Sequence, residues 1–457
     1  MNWNIKVKDI SQGGFAPAYH KETYPMVGNN NQAAAMVSCD LTNPSYLTQG
    51  PGLASVSPTV NPVGVIKGIL KTVVSANKTY GISATKMYEI TPTTLIEKDP
   101  DDAITGGEDV ALYGNKLLFS HDTDILIADN PFTNANENWW TTVAGGAALT
   151  SGEPHQMVVA GTTGLMTVLN GSVVASWDGT TAVDSAFDTQ DVDITLVSQV
   201  WTRNNFYFAG NKPNATGRNE ASIFIWNGTA TSWNNRVEVN GKIGAMFVRN
   251  GVPFVLYQKN ISDGAITLGY CDGNVLIDIT NYEGSLPAYY QITEYKDHLI
   301  WASGTNLFAW GGNDLALNTK IFQLGVCGVG GLANPFGAPM TASSAKLQKF
   351  SGHTVTCSWK SLLFDVTQSE RRSMIDKLRF NFEKLVTGAR VDFTLKNNQG
   401  TSLETGTISF AGDGADTSKT FNMKKLTENF RIELNWANGS ATNAVAIKDI
   451  LIVGHTL

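Results

Sequence analysis

Charge is scarce in this chain. Only 16% of its 457 residues are Asp, Glu, Lys or Arg, against roughly 25% in an ordinary soluble domain. The polar remainder is Asn, Thr, Ser and Gly, a surface suited to extensive protein contact. The charges sum to −7, with a pI near 5.4. That excludes the basic field of a dedicated nucleic-acid binder. Long apolar runs are missing too. No window reaches the ~18 continuous apolar residues of a membrane-spanning helix. The opening Met1-Asn2-Trp3-Asn4-Ile5-Lys6 lacks the basic-then-apolar pattern of a signal peptide, so synthesis and folding in a cytoplasm are expected. The four cysteines, Cys39, Cys271, Cys327 and Cys357, are far apart and form no Cys-x-x-Cys pair. They read as buried free thiols of a reducing compartment, with a disulfide or metal framework as the alternative. None of the six histidines (His20, His121, His155, His298, His353 and His455) sits at metal-ligand spacing from another.

Catalytic templates are absent as well. There is no Gly-x-Ser-x-Gly elbow, no phosphate loop and no His-Glu-x-x-His. The glycine-rich Gly325-Val326-Cys327-Gly328-Val329-Gly330-Gly331 lacks dinucleotide-fingerprint spacing and reads as a tight turn or close backbone approach. On these grounds neither an enzyme nor a cofactor is expected.

What the chain does have is a spaced series of aromatic-turn signatures. They are Trp177-Asp178-Gly179, Trp226-Asn227-Gly228, Tyr270-Cys271-Asp272-Gly273 and Trp310-Gly311-Gly312, whose closing glycines, Gly179, Gly228, Gly273 and Gly312, step by 49, 45 and 39 residues. A period near 40–50 with several short strands per unit predicts β-propeller blades. Strand patterns over residues 61–345 give six blades, and residues 321–345 add a seventh or close the ring. From residue 346 the pattern changes to strict alternation. Leu378, Phe380 and Phe382, then Val391, Phe393 and Leu395, then Phe430, Ile432, Leu434 and Trp436 alternate with polar neighbours. That predicts half-buried antiparallel strands and a jelly-roll-like β-sandwich over 346–457, with 368–374 as its one short helix. Residues 1–60 are broken by Pro, Gly and Asn yet carry the apolar anchors Phe15, Tyr19, Tyr24, Tyr46, Leu47 and Leu53. They read as an extended arm, docked on its own propeller or on a neighbouring subunit and serving assembly. The predicted fold class is all-β: arm, propeller, sandwich.

Three loops concentrate carboxylates. They hold Asp99, Asp101, Asp102, Glu108 and Asp109, then Asp184, Asp188, Asp191 and Asp193, then Asp413 and Asp416. Solvated polar loops explain them, a structural calcium is the ion they could hold, and a glycosidase pair is the remaining reading. Trp139-Trp140, in a polar insertion, are candidate glycan-stacking aromatics, with packing under a loop or at an interface as the favoured reading. Trp177, Trp226 and Trp310 recur at equivalent blade positions and are expected in inter-blade cores.

The run Gly13-Gly14-Phe15-Ala16-Pro17-Ala18-Tyr19 through Tyr24-Pro25, with Leu47-Thr48-Gln49-Gly50-Pro51-Gly52-Leu53, resembles the N-terminal arm of a group of tailed-bacteriophage virion proteins. Ile375-Asp376-Lys377-Leu378-Arg379-Phe380-Asn381-Phe382, Ile408-Ser409-Phe410 and Glu428-Asn429-Phe430-Arg431 resemble the terminal sandwich of the same group. The resemblance implies a structural tail protein, built as a ring or nozzle from copies of itself beside other tail or connector proteins. It acts as scaffold or channel wall and resides in the virion after synthesis in a host cytoplasm. A receptor- or glycan-binding tail-tip module is the alternative.

Overall fold

Turn chemistry sets the architecture. In the computed structural model, which describes residues 2–7, 33–56, 64–71, 78–98, 104–133, 135–136, 138–161, 164–213, 220–259, 264–311, 320–343, 346–365 and 372–457, each aromatic-turn signature ends the third strand of a four-stranded sheet. Asp178 Oδ1 accepts the N–H groups of Thr180 and Thr181. Asn227 Oδ1 accepts those of Thr229 and Ala230, and Asp272 Oδ1 those of Asn274 and Val275. These side-chain turns reverse the chain into the fourth strand. The following glycines take the left-handed backbone the turn needs, with φ of 97° at Gly179, 86° at Gly228 and 105° at Gly273.

Among the described residues, seven four-stranded antiparallel sheets succeed one another as blades of the propeller. Blade one spans Ile69–Lys71 to Leu95–Lys98 and blade two Asp109–Tyr113 to Ala135–Asn136. Blades three, four and five run from Met157–Val159 to Ala182–Asp188, from Thr195–Thr202 to Asn235–Asn240, and from Lys242–Arg249 to Leu276–Glu283. Blade six runs from Ile292–Tyr295 to Ile321–Val326. Blade seven is composite. Leu332–Ala333, Met340–Ala342 and Leu347–His353 supply three strands, and Pro51–Ser55 supplies the outermost, with Leu53 opposite Phe350. The propeller therefore reaches His353, past the boundary expected at 345. The first strands of successive blades touch from blade six through seven and one to blade five, and between blades five and six the first strand of blade five meets the turn Tyr289–Gln291.

Alternation puts successive side chains of one strand into two different cores. Leu299 and Trp301 pack toward blade five, while Ile300 and Ala302 pack toward blade seven and the sandwich. Trp226 joins the core between blades three and four. Trp177 lies in the core between blades two and three, and Trp310 in that between blades five and six, as expected.

The sandwich has one sheet of Asn2–Val7, Ile447–Thr456, Ser373–Phe382 and Ser418–Thr427. The other contains Ala33–Val37, Ser358–Ser361, Asn429–Asn435, Arg390–Asn397 and Ser402–Ser409, with Phe364–Asp365 beside Asn429–Asn435. Every alternating apolar residue singled out above is buried. Ser373 and Met374 begin a strand, contrary to the expected helix; residues 368–371 lie outside those described. The α-helical turn is Phe410–Asp413.

Of the stretch expected as an arm, the described parts dock on their own chain, and they do so as strands of both domains. Asn2–Val7 and Ala33–Val37 are edge strands of the sandwich, and Pro51–Ser55 closes the propeller. Leu47 is fully buried and pairs with Ile447 through reciprocal backbone hydrogen bonds of 2.9 Å. Leu53 packs on the shared core. Tyr46 is half-buried, with the Lys448 ammonium 5.4 Å from its ring centroid. Phe15, Tyr19 and Tyr24 lie outside the described residues. One hydrophobic core unites the sandwich with blades six and seven.

Candidate functional site

The concave site nearest the propeller axis is made by the link between blades five and six. Residues 284–291 carry Leu286-Pro287-Ala288-Tyr289-Tyr290, and Tyr289–Gln291 form one 3-10 turn. The turn is held by Gln291 N–H donating to Ala288 O (3.0 Å) and Ala288 N–H to Gln291 Oε1 (2.8 Å). It touches the first strands of blades four, five and seven. Gln291 Nε2 donates to Val329 O at 2.7 Å. The link therefore reaches inner strands on opposite sides of the ring. Close packing fixes it there: a Cβ on Gly244 would come within 2.5 Å of Pro287 O.

Beside this plug is a cavity of about 360 Å³, reached by residues from blades one to five. Lys67 and Glu108 form an ion pair on its wall. Tyr289 Oη donates to Glu108 Oε2 at 3.2 Å, and the Lys67 ammonium lies 5.9 Å from the Tyr290 ring centroid. Burial raises the Tyr289 phenol well above its ordinary range, with the Asp109 and Glu108 charges adding to the shift. Lys242, Asn211 and Glu153 complete the polar lining. The volume and the mix of groups suit a small polar ligand.

Asp109 is adjacent to Glu108 but engaged elsewhere. Its Oδ2 accepts Met157 N–H at 2.8 Å, tying blade two to blade three. Burial pushes its carboxyl up to about 7. Asp109 is thus committed to the joint between blades two and three, while Glu108 faces Lys67 and Tyr289. Asp184 Oδ1 accepts Ala147 N–H, Asp191 pairs with Lys212 at 2.8 Å, and Asp413 pairs with Lys419 at 2.9 Å. The acidic loops thus use their oxygens on local turns and lysines. Among the described residues, no group of three or more His, Cys, Asp or Glu side chains could hold a metal ion. Asp99, Asp101 and Asp102 lie outside them.

Of the two readings for Trp139 and Trp140, packing fits their placement. Trp139 and Trp140 are 5% and 0% exposed, packed in the core between blades two and three. The Asp124 carboxylate accepts Trp140 N–H at 3.0 Å and the Thr141 hydroxyl at 2.5 Å, winding the insertion into a π-turn that folds both indoles inward. Trp140 Nε1 donates to Ala147 O at 2.9 Å. Neither ring offers a face to a sugar. Sequence reasoning missed Tyr289 and Tyr290; the signal was an apolar aromatic run between two strand patterns, where a solvated loop would be polar.

No family model matches the chain, and no curated protein matches it. Solved structures of similar build do exist. An exo-β-1,3-galactanase from Phanerochaete chrysosporium is 11% identical, with 89% of this chain and 100% of that one covered at a TM-score of 0.32. A glycoside hydrolase family 43 arabinoxylan arabinofuranohydrolase from Bacillus subtilis is 12% identical, covering 89% and 92% at 0.28. Drosophila Semaphorin 1a is 8% identical, covering 66% and 88% at 0.40. At such identities and TM-scores the likeness carries no argument about activity. Glycoside-cleaving propellers are among them, and the expectation that the chain is no enzyme is withdrawn. Its physical basis was weak: a pair of carboxylates supplied by separate loops leaves no local motif whose absence could exclude catalysis. No helix among the described residues is long and apolar enough to cross a membrane.

Proposed function

We propose that the chain is a structural component of a tailed-bacteriophage virion, assembled in several copies as a ring or nozzle beside other tail or connector proteins. The observation that carries this reading is the threading of the N-terminal segment. It contributes strands to the sandwich and the closing strand of the propeller, so the two domains become one stiff block. Such a block suits a scaffold that transmits load between neighbours. The axial cluster supports the same reading. Lys67, Glu108 and Tyr289 bind one another across the middle of the ring and brace it. Closed rings of identical subunits are a common solution for such parts, and the sparse surface charge favours broad protein contact. The reading rests on these features and on the resemblance of residues 47–53 and of the sandwich strands.

Quantitative mass spectrometry on purified particles, with the major capsid protein as internal standard, tests it. A fixed ratio of several copies per particle is expected. Absence or trace amounts would overturn the proposal.

A further inference from the structure

Two cysteines far apart in sequence meet where the N-terminal segment enters the sandwich. Ala33–Val37 pairs antiparallel with Ser358–Ser361, with Val37 opposite Ser358. Ser38 then adopts a left-handed conformation (φ 53°), turning the chain so that Cys39 opens the short strand Cys39–Asp40 against Thr48–Gln49. This turn brings Cys39 Sγ to 3.4 Å from Cys357 Sγ, across 318 residues of sequence. Both thiols are fully buried in the core shared by the sandwich and blades six and seven.

The backbones around the pair are fixed. Cys357 O accepts Trp436 N–H at 3.0 Å. Gly50 N–H donates to Ser38 O at 2.6 Å, and a Cβ on Gly50 would lie 1.9 Å from Leu324 O. Neither residue can easily move away from the other. Cys39 Sγ also lies 3.0 Å from Ser358 O, so one thiol proton is held by a carbonyl while the sulfurs stay in contact. A disulfide requires the sulfurs to approach by roughly 1.4 Å more, to about 2.05 Å. A gap of that size is on the scale of a side-chain rotation. Cys271 and Cys327 are buried in other surroundings, Cys271 between blades four and five and Cys327 beside Gly304 and Asn306.

We propose that Cys39 and Cys357 are a disulfide-forming pair, which on oxidation staples the N-terminal segment to the sandwich and closes a covalent loop around the whole propeller. The oxidant is a small disulfide such as oxidised glutathione. One cysteine thiolate attacks a glutathione sulfur and releases the first glutathione thiolate. The second cysteine, losing its proton, attacks the protein sulfur of the mixed disulfide and releases the second glutathione. Two protein thiols lose two electrons and two protons, and one glutathione disulfide becomes two thiols. Since both sulfurs are inaccessible in the closed structure, the exchange takes place while the chain folds, before the segment seats. A cross-link spanning so long a loop constrains the unfolded chain strongly. The inference stands on the fold alone and does not depend on the virion reading.

The test refolds the full chain from denaturant in glutathione buffer with excess disulfide and, separately, in dithiothreitol. Free thiols are then alkylated and peptides mapped without reduction. The oxidised sample is expected to contain one Cys39–Cys357 linked peptide pair, with Cys271 and Cys327 alkylated. Its melting temperature should exceed that of the reduced sample by roughly 2–5 °C. The Cys39→Ser variant should lose both the linked pair and the shift. Full alkylation of Cys39 and Cys357 in the oxidised sample, or links distributed evenly among all four cysteines, would overturn the proposal. If the chain does not refold in vitro, expression in an oxidising and a reducing host cytoplasm followed by the same mapping reads the same two outcomes.

Discussion

Blade four and blade seven are the same four-stranded sheet made by opposite routes. Blade four takes its four strands in sequence order from one stretch of chain, Thr195–Thr202 to Asn235–Asn240; Arg203 and Asn204, at φ 51° and 62°, form the two-residue turn between its first two strands. Blade seven takes three strands from residues 332–353 and its fourth from residues 51–55. The first route needs little loop closure at any step. The second brings together distant parts of the chain, and its entropic cost is met only when the rest of the ring is in place. The ring's weak seam is therefore at blade seven, and the N-terminal segment is the part that seals it.

The largest effect should come from removing the seal. Deleting residues 1–56 takes away the outer strand of blade seven and two strands of the sandwich, leaving a long unpaired edge. Loss of the cooperative thermal transition in circular dichroism is expected, with aggregation. A truncated chain that still melts cooperatively would mean that blade seven is stable as a three-stranded sheet, and the contrast would fail.

A smaller effect separates the inside of a continuous blade from the seam. Trp226→Ala removes an indole that is 2% exposed and should lower stability by about 3–5 kcal/mol. Leu53→Ala, at a half-buried position on the closing strand, should cost about 1–2 kcal/mol. Urea denaturation of both variants reads the two values. A larger loss at Leu53 than at Trp226 would show that the seam carries more of the fold's stability than its burial indicates.

The smallest effect sharpens the comparison between adjoining blades. Asp109 ties blade two to blade three, and its carboxyl is raised from 3.8 to about 7 in the folded chain. Between about pH 4 and 7 the folded state holds a proton that the unfolded state has lost. This contribution therefore favours folding at low pH and fades as pH rises through 7. Asp109→Asn keeps an acceptor for Met157 N–H and removes the titration. Its melting temperature should fall less than wild type's between pH 5.5 and pH 8. Equal falls would remove Asp109 from the pH response.

Legibility in the sequence followed locality. The turns at Asp178, Asn227 and Asp272 were readable because side chain and backbone partner lie within three residues. Blade one makes the equivalent turn with the Thr91 hydroxyl accepting Thr93 and Thr94 N–H, so no aromatic-Asp-Gly signature marked it. Blade seven was left as an alternative because its fourth strand came from a stretch that looked like an arm. The sandwich was legible from Leu378 to Trp436 by alternation alone, but its two N-terminal strands were not. Trp139 and Trp140 sat in a polar insertion that suggested exposure, and only the distant Asp124 carboxylate turns them inward. The axial cluster was the least visible. Glu108 stood in a recognised acidic loop, yet its partners Lys67 and Tyr289 reach it only after the ring has closed.

The stopper formed by residues 284–291 has a consequence for any larger object made from this molecule. Copies stacked along their own propeller axes would repeat this obstruction at every level. Copies set side by side around a circle would make a pipe whose bore is fixed by how many fit, and each molecule would be a brick in its wall.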